Sequence, residues 1–342
     1  MNRLIILCLL ALTGCHQEKL YESRIFSLGT LIDVTLYAES PARAEQAMDI
    51  ICSELNRINK TWHAWQPGVL SEINRQLETG QPFSVEPSVL AVIQQAQQLS
   101  AQSNQLFNPA IGKLIATWGF HQDDPGQVKP PAPATIKALI AANPTMQDLH
   151  INGQQLQSDN PTVKLDFGGF VKGYGLGKIA EKLKAQGIAR FILNAGGDLV
   201  VEGSHPNRPW RIAIRSPDDK NALASLEAKS GEGIFTSGDY ERFYMEGEKR
   251  RHHIIDPRTG YPAEGTRAVT VIHSDPGLAD AAATALFIAG PNEWQEIAGK
   301  MQLDMVLLLD TENTLHMTAE MAERLTLPDH HSYQIKPSPS QK

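Results

Sequence analysis

The sequence predicts an α+β protein, with mixed sheets and helices packed around them. Asn152-Gly153, set between alternating residues of 149–157, is the strongest short hairpin signal in the chain. Residues 163–193 read as strand, glycine turn, helix, strand: Val163, Leu165 and Phe167 alternate into Gly168-Gly169, then Leu176, Ile179, Ala180 and Leu183 fall at helical spacing before Phe191-Ile192-Leu193. Strands thus arrive both through hairpins and through helical crossovers.

Taken in order, the chain opens with a segment outside the fold. Arg3 precedes an apolar run, Leu4 to Leu12, too short to span a bilayer, and Leu12-Thr13-Gly14-Cys15 puts small residues before a cysteine. That order resembles a bacterial lipobox, in which Cys15 becomes the lipidated first residue of the mature chain. A plain secretory signal or an uncleaved anchor are the alternatives. Several acyl chains, at about 0.8 kcal/mol per buried CH₂, would hold the domain on the periplasmic side of a membrane. His16 does not decide between inner and outer membrane. Residues 16–22 are read as a polar tether, 23–328 as one domain or two intimate subdomains, and 329–342 as a flexible tail.

Within the domain, Ile25 to Tyr37 reads as a strand pair or one bent strand, with Leu28-Gly29-Thr30 as bulge or turn. Ser40-Pro41 opens a helix carrying Ala44, Met48, Ile51, Leu55 and Ile58. Trp62 to Gly68 is an aromatic loop, suited either to packing or to stacking a flat ring. Pro87 starts another helix, and residues 122–134 form a proline-rich surface loop. After the central unit, 210–215, 234–240, 243–245 and 268–273 read as strands, 278–289 and 291–301 as helices, and 305–309 with 314–318 as a closing hairpin.

Composition narrows the function. The net charge of −7 argues against a nucleic-acid footprint. Of 3 cysteines only Cys52 lies in the folded part, so no internal disulfide and no CxxC site exists. Glycines at the strand-to-helix corner of 168–173 let backbone N–H groups approach a phosphate, or simply let helix and sheet pack closely. The spacing fits neither a Walker A loop nor a dinucleotide fingerprint. Gly196-Gly197, after the next strand, is expected at the same sheet edge.

Asp280 and Thr284, four apart on a predicted helix, share a face separated by alanines. A carboxylate and a hydroxyl suit a hard cation such as magnesium. The plainer alternative is an acidic residue complementing a helix dipole and a threonine bonding its own turn. His252 and His253 point to opposite faces if they lie on a strand, so one serves as a base or both are ordinary polar residues.

Leu165-Asp166-Phe167-Gly168-Gly169-Phe170-Val171-Lys172-Gly173-Tyr174, Asn194-Ala195-Gly196-Gly197-Asp198, Thr236-Ser237-Gly238-Asp239-Tyr240, His253-Ile254-Ile255-Asp256-Pro257 with Thr259-Gly260-Tyr261-Pro262, and Ala279-Asp280 with Thr284 together resemble the ApbE family of FAD:protein FMN transferases. Each motif alone is weak; their shared order along the chain carries the resemblance. It implies an ApbE-like fold and Mg²⁺-dependent splitting of FAD, releasing AMP and joining FMN through a phosphoester to a threonine or serine of an extracytoplasmic acceptor protein. It implies Mg²⁺ on Asp280, Thr284 and the Gly169 carbonyl, with Lys172 beside the phosphates. It further implies FAD contacts from Leu28, Trp65, Leu106, Phe107, Asn108, Asp166 and Ile255, with His253 as first and Asp256 as second choice of base. Hydrolysis of FAD to FMN and AMP, or a non-enzymatic flavin-binding lipoprotein, are the alternatives. The chain departs from the family at Leu28 and Asn108, among the FAD contacts, and at Gly177 and Ala283, which puts the number of side chains around the metal, and the affinity for it, in question.

Overall fold

The computed structural model describes residues 18–121, 130–218, 221–328 and 333–337. The signal and lipidation reading at Cys15, and residues 122–129 of the proline-rich loop, lie outside these residues. β1 (Lys19–Ser27) and β2 (Thr30–Ala38) pair antiparallel, Ser27 opposite Thr30. Leu28 and Gly29 turn between them with φ of 52° and 73°, the left-handed pair that a two-residue hairpin requires. Lys19–Glu22, read from sequence as tether, is therefore strand: pairing with β2 outweighs its polar composition.

Ser40 caps α1 (Pro41–Trp62), its hydroxyl accepting from the Arg43 N–H, and the apolar stripe Ala44, Ala47, Ile51, Leu55, Ile58 is buried. Trp62 closes this helix and packs in the core rather than in a loop. There follow α2 (Val69–Leu77), β3 (Phe83–Ser84), α3 (Pro87–Gln102), α4 (Gly112–Thr117) and α5 (Pro133–Ala142). β4 (Leu149–Asn152) and β5 (Gln155–Ser158) form the expected hairpin, with β3 as a third strand beside β5.

Residues 163–167 do not join a sheet with the strand that follows them, contrary to the strand–helix–strand reading. They run extended beside 109–112, bridged at Ile111 and Lys164. The buried Asn74 side chain takes both backbone groups of Leu165, accepting from its N–H at 2.6 Å and donating to its carbonyl at 2.9 Å. α6 (Val171–Ala185) and β6 (Phe191–Ala195) do follow as expected. Gly196-Gly197 is the hairpin turn into β7 (Asp198–Glu202), with φ of 68° and 112°.

β8 (Trp210–Arg215) and β9 (Ala222–Ala228) pair apart from the main sheet, as do β11 (Phe243–Glu246) and β12 (Lys249–His252) after β10 (Glu232–Gly238). β13 (Thr266–His273) leads into α7 (Pro276–Lys300), which breaks at Gly290 (φ 67°, ψ −177°) just before Pro291, so its two halves are the two helices expected at 278–289 and 291–301. β14 (Val306–Asp310), β15 (Thr314–Met317), α8 (Ala319–Arg324) and β16 (Gln334–Pro337) close the chain. β16 pairs parallel with β15, so this part of the expected tail is strand.

Among the described residues the main sheet has nine strands in the order β1-β2-β6-β7-β10-β13-β14-β15-β16. Val200, Phe235, Val269, Val271 and Leu308 face the large core under α1, α3, α6 and α7, whereas Val201, Ile234, Ile272, Leu307 and Leu309 face a second core under β8, β9 and α8. Covering both faces makes these strands apolar runs rather than alternating ones. The β1–β2 and β6–β7 turns and the C-terminal end of β10 meet at one sheet end, against which α6 and the first half of α7 pack.

Candidate active site

The site begins where α6 and α7 touch. A Cβ on Gly173 would lie 2.1 Å from the Pro276 carbonyl oxygen and 2.7 Å from the Asp280 Cβ, so only glycine permits this approach. The Gly173 N–H then donates to the Asp280 carboxylate at 2.8 Å. One turn further along α7, the Thr284 hydroxyl stands 2.9 Å from where a Gly169 Cβ would be, and 3.4 Å from the Ser237 hydroxyl. Asp275 caps α7, accepting from Gly277 N and Leu278 N. Asp280 is thus not the acidic residue serving the helix start; it faces another helix's glycine corner.

Beside this pair the Lys172 ammonium contacts the Asp198 carboxylate, whose other oxygen accepts from Thr236 N at 3.0 Å. Desolvation pulls the Lys172 pKa down, but Asp198, Glu241 and Asp280 outweigh it and raise it, so the ammonium stays charged. Desolvation and the Asp198 charge push Asp280 up to about 7 against the pull of Lys172. Desolvation likewise lifts Glu241 to about 7, with Lys172 opposing and Asp198 reinforcing the rise. Three carboxylates thus share one partly buried lysine, an excess of negative charge that favours an added cation. Among the described residues no three His, Cys, Asp or Glu are placed together as a metal-binding group. The donor set is instead one carboxylate, two hydroxyls and backbone, all hard oxygen, which fits magnesium.

His252 and His253 part company where β12 ends. His252 is buried with its ring 5.3 Å from that of Phe287, donating Nε2–H to the Ala263 carbonyl and accepting at Nδ1 from Ile254 N. His253 instead follows the strand and places Nδ1 3.3 Å from the Arg242 carbonyl. A carbonyl only accepts, so Nδ1 carries the proton and Nε2 is the basic nitrogen. Desolvation, followed by the charges of Arg242, His252 and Lys172, lowers the His253 pKa to about 3, leaving it neutral at working pH. Arg242 also acts on Asp166, which links the histidine to the third part of the site.

There the Trp65 indole donates to Asp166 at 3.1 Å, and Gly168 N donates to the other carboxylate oxygen at 2.8 Å. Desolvation raises the Asp166 pKa despite these donors. The Lys164 ammonium lies 4.6 Å from the Trp65 ring centre, and the His121 ring 5.6 Å from it. Trp65 is therefore a fixed aromatic plate rather than core filler. Leu28 sits in the β1–β2 turn, partly buried, next to the Gly196-Gly197 turn, since Gly196 N donates to the Leu31 carbonyl.

Other expected residues are used differently. Leu106 and Phe107 are buried in the large core, Phe107 against Phe170. The Asn108 amide is spent on backbone, donating to Pro144 O and accepting from Ala110 N. Ile255 packs among Ile111, Trp118 and Phe120. Asp256 gives both carboxylate oxygens to Arg258, which continues to Glu293 and the Ile288 carbonyl. These side chains are engaged in packing or in backbone bonds, and Asp256 is occupied as an ion-pair partner of Arg258. Conversely, Asp198, Ser237, Glu241 and Arg242 belong to the site although the sequence reading assigned them no role. The first two lie inside quoted motifs, and the last two directly follow one.

A profile of the ApbE family matches residues 28–307. The FAD:protein FMN transferase of Rhodobacter capsulatus is 39% identical over 300 residues, 88% of this chain; the chain spans 57% of that relative's length. The FAD:protein FMN transferase of Vibrio cholerae is 29% identical over 89% of this chain and 92% of its own. Among solved structures, the ApbE protein of Thermotoga maritima superposes with a TM-score of 0.81 at 26% identity, over 90% of this chain and 99% of that one. The flavin transferase ApbE of Vibrio cholerae gives 0.79 at 26% identity, with the same coverage. With a profile match across most of its length, and solved relatives folded in the same way, the chain belongs to the ApbE family.

Proposed function

We propose that this chain transfers the FMN half of FAD onto a threonine or serine hydroxyl of an acceptor protein, releasing AMP. The observation that carries this reading is the meeting of Asp280 and Thr284 with the Gly169–Gly173 corner, beside the partly buried Lys172. Asp280, Thr284, Ser237 and the Gly169 backbone would hold Mg²⁺, which when bound draws charge off the pyrophosphate. The positive end of the α6 dipole lies at the same corner, where the Gly173 N–H donates to Asp280, and would add to phosphate binding. Trp65 and Asp166 orient the nucleotide, the indole as a stacking face and the carboxylate as an acceptor.

The acceptor oxygen attacks the FMN phosphorus, the bond from that phosphorus to the AMP-side oxygen breaks, and the hydroxyl proton passes to His253 Nε2. The low basicity of His253 comes from desolvation and neighbouring cations; phosphates bound nearby offset those cations and restore it. Positioning and charge neutralisation supply most of such a reaction's acceleration.

Incubation with FAD, Mg²⁺ and candidate acceptors, followed by acid precipitation, tests the reading. Flavin retained on the acceptor supports transfer; free FMN and AMP in the acceptor's presence mean hydrolysis, and unchanged FAD means a binding protein. We further propose that the mature chain is lipid-anchored through Cys15 and works outside the cytoplasm, a reading supported by Leu12-Thr13-Gly14-Cys15. Among the described residues no helix is long and apolar enough to cross a membrane. Palmitate labelling that persists in Cys15→Ala would overturn the anchor.

A further inference from the structure

Lys172 lies within reach of two buried carboxylates that do different work. Asp198, with its side chain 4% exposed, takes the ammonium on one oxygen and the Thr236 N–H on the other. Asp280 accepts from the backbone of the very next residue, Gly173, and the Lys172 charge already acts on it. An ammonium that swung from Asp198 to Asp280 would put a positive charge where a cation is to be held. The chain therefore carries its own competitor for the metal.

We infer that Asp198 is a positioning residue whose task is to hold Lys172 off Asp280, keeping the Asp280 carboxylate open to a divalent cation. Three features favour this. Asp198 is the first residue of β7, immediately after the Gly196-Gly197 turn, and the Thr236 bond ties it to the neighbouring β10, so its carboxylate is fixed from two strands. The Thr236 hydroxyl is in turn 2.9 Å from that of Thr270 on β13, which extends the support one strand further. And Asp198 is more deeply buried than Lys172, whose side chain is 23% exposed, so the carboxylate is the fixed partner and the lysine the movable one. The inference rests on Asp280 and Thr284 being the metal corner.

The test is Mn²⁺ binding to the purified protein without flavin, measured by calorimetry or by loss of the free-ion electron spin resonance signal. Asp198→Asn keeps an oxygen for the Thr236 N–H, and an unchanged melting temperature shows that it folds. It is expected to weaken Mn²⁺ at least tenfold, and Asp198→Asn with Lys172→Met is expected to recover affinity to within about threefold of the unsubstituted protein. A change of bulk charge alone would give the same pair of results, so a crystal structure of Asp198→Asn decides: Lys172 Nζ is expected within hydrogen-bond distance of Asp280. Lysine still directed at residue 198, or Mn²⁺ affinity equal to that of the unsubstituted protein, overturns the inference. No Mn²⁺ binding by the unsubstituted protein overturns the metal corner itself, and the positioning role falls with it.

Discussion

Asp280 and Asp256 make an instructive pair. Both are buried aspartates, 5% and 7% exposed, in segments that carry the family motifs, and the sequence suggested chemistry for each. Asp256 sits in a turn two residues before Arg258, and the guanidinium folds back to take both oxygens, with the Arg258 N–H adding a third bond at 2.8 Å. Asp280 sits on a helix among alanines, where it accepts from the backbone N–H of Gly173 on another helix. A carboxylate whose charge is matched from within its own turn becomes structure. One that meets only backbone, glycine and shared charge remains available, at the cost of a raised pKa.

The sharpest way to break this contrast is to neutralise each in turn. Asp280→Asn is expected to reduce transfer by roughly a thousandfold or more, removing a charge that a metal needs, with a melting temperature equal to or above that of the unsubstituted protein because a strained buried charge is gone. Asp256→Asn is expected to leave most activity and lower stability by about 1–2 kcal/mol in chemical denaturation, a figure kept small because Arg258 is half exposed. If the two phenotypes were exchanged, the assignments would have to be exchanged as well.

His253→Ala is expected to cost about 10²–10³ in kcat with little change in melting temperature, the usual scale for a general base. Unaltered kcat would remove His253 from the reaction and leave its position beside Arg242 unexplained. Gly173→Ala, whose new Cβ would meet the backbone oxygen of Pro276 at 2.1 Å, is expected to prise α6 from α7 and lower both stability and metal affinity, by about 2 kcal/mol of stability. Gly177→Ala, with 3.4 Å of room to Pro276 Cγ, serves as its control on the same helix.

A pH-dependent effect concerns the other histidine. Burial lowers the folded His252 pKa to about 4 from 6.5, the charges of Arg250 and Arg251 acting in the same direction. Above pH 6.5 neither state is penalised. As pH falls from 6.5 towards 4 the unfolded chain takes up a proton the folded chain refuses, and up to about 3 kcal/mol of stability is lost. His252→Phe is expected to flatten that part of the stability–pH curve, whereas His253→Ala should leave a fall attributable to His252.

What could be read in the chain before folding was local. The Leu28-Gly29 and Gly153 turns, the Ser40 cap and the Asp280/Thr284 spacing each follow from neighbours within a few residues. The strand assignment of 163–167 failed because an alternating pattern reports burial, not partners: Asn74, about ninety positions away, satisfies that backbone instead of a sheet. β14 reads as a strand from its apolar run although it has no alternation, since all five of its residues are buried between two cores. Glu241 and Arg242 escaped notice because nothing periodic marks them; their role comes from the β10–β11 connection that carries them towards Lys172 and His253. Asp256 looked like a base because its partner Arg258, though adjacent in sequence, declares itself only through geometry.

The most direct measurement is the anomalous-scattering position of Mn²⁺ in crystals of the protein. The expected peak lies against the Asp280 carboxylate and Thr284 hydroxyl at the Gly169 corner, and vanishes in Asp280→Asn crystals. A peak elsewhere, or one that persists when Asp280 is replaced, would contradict the account.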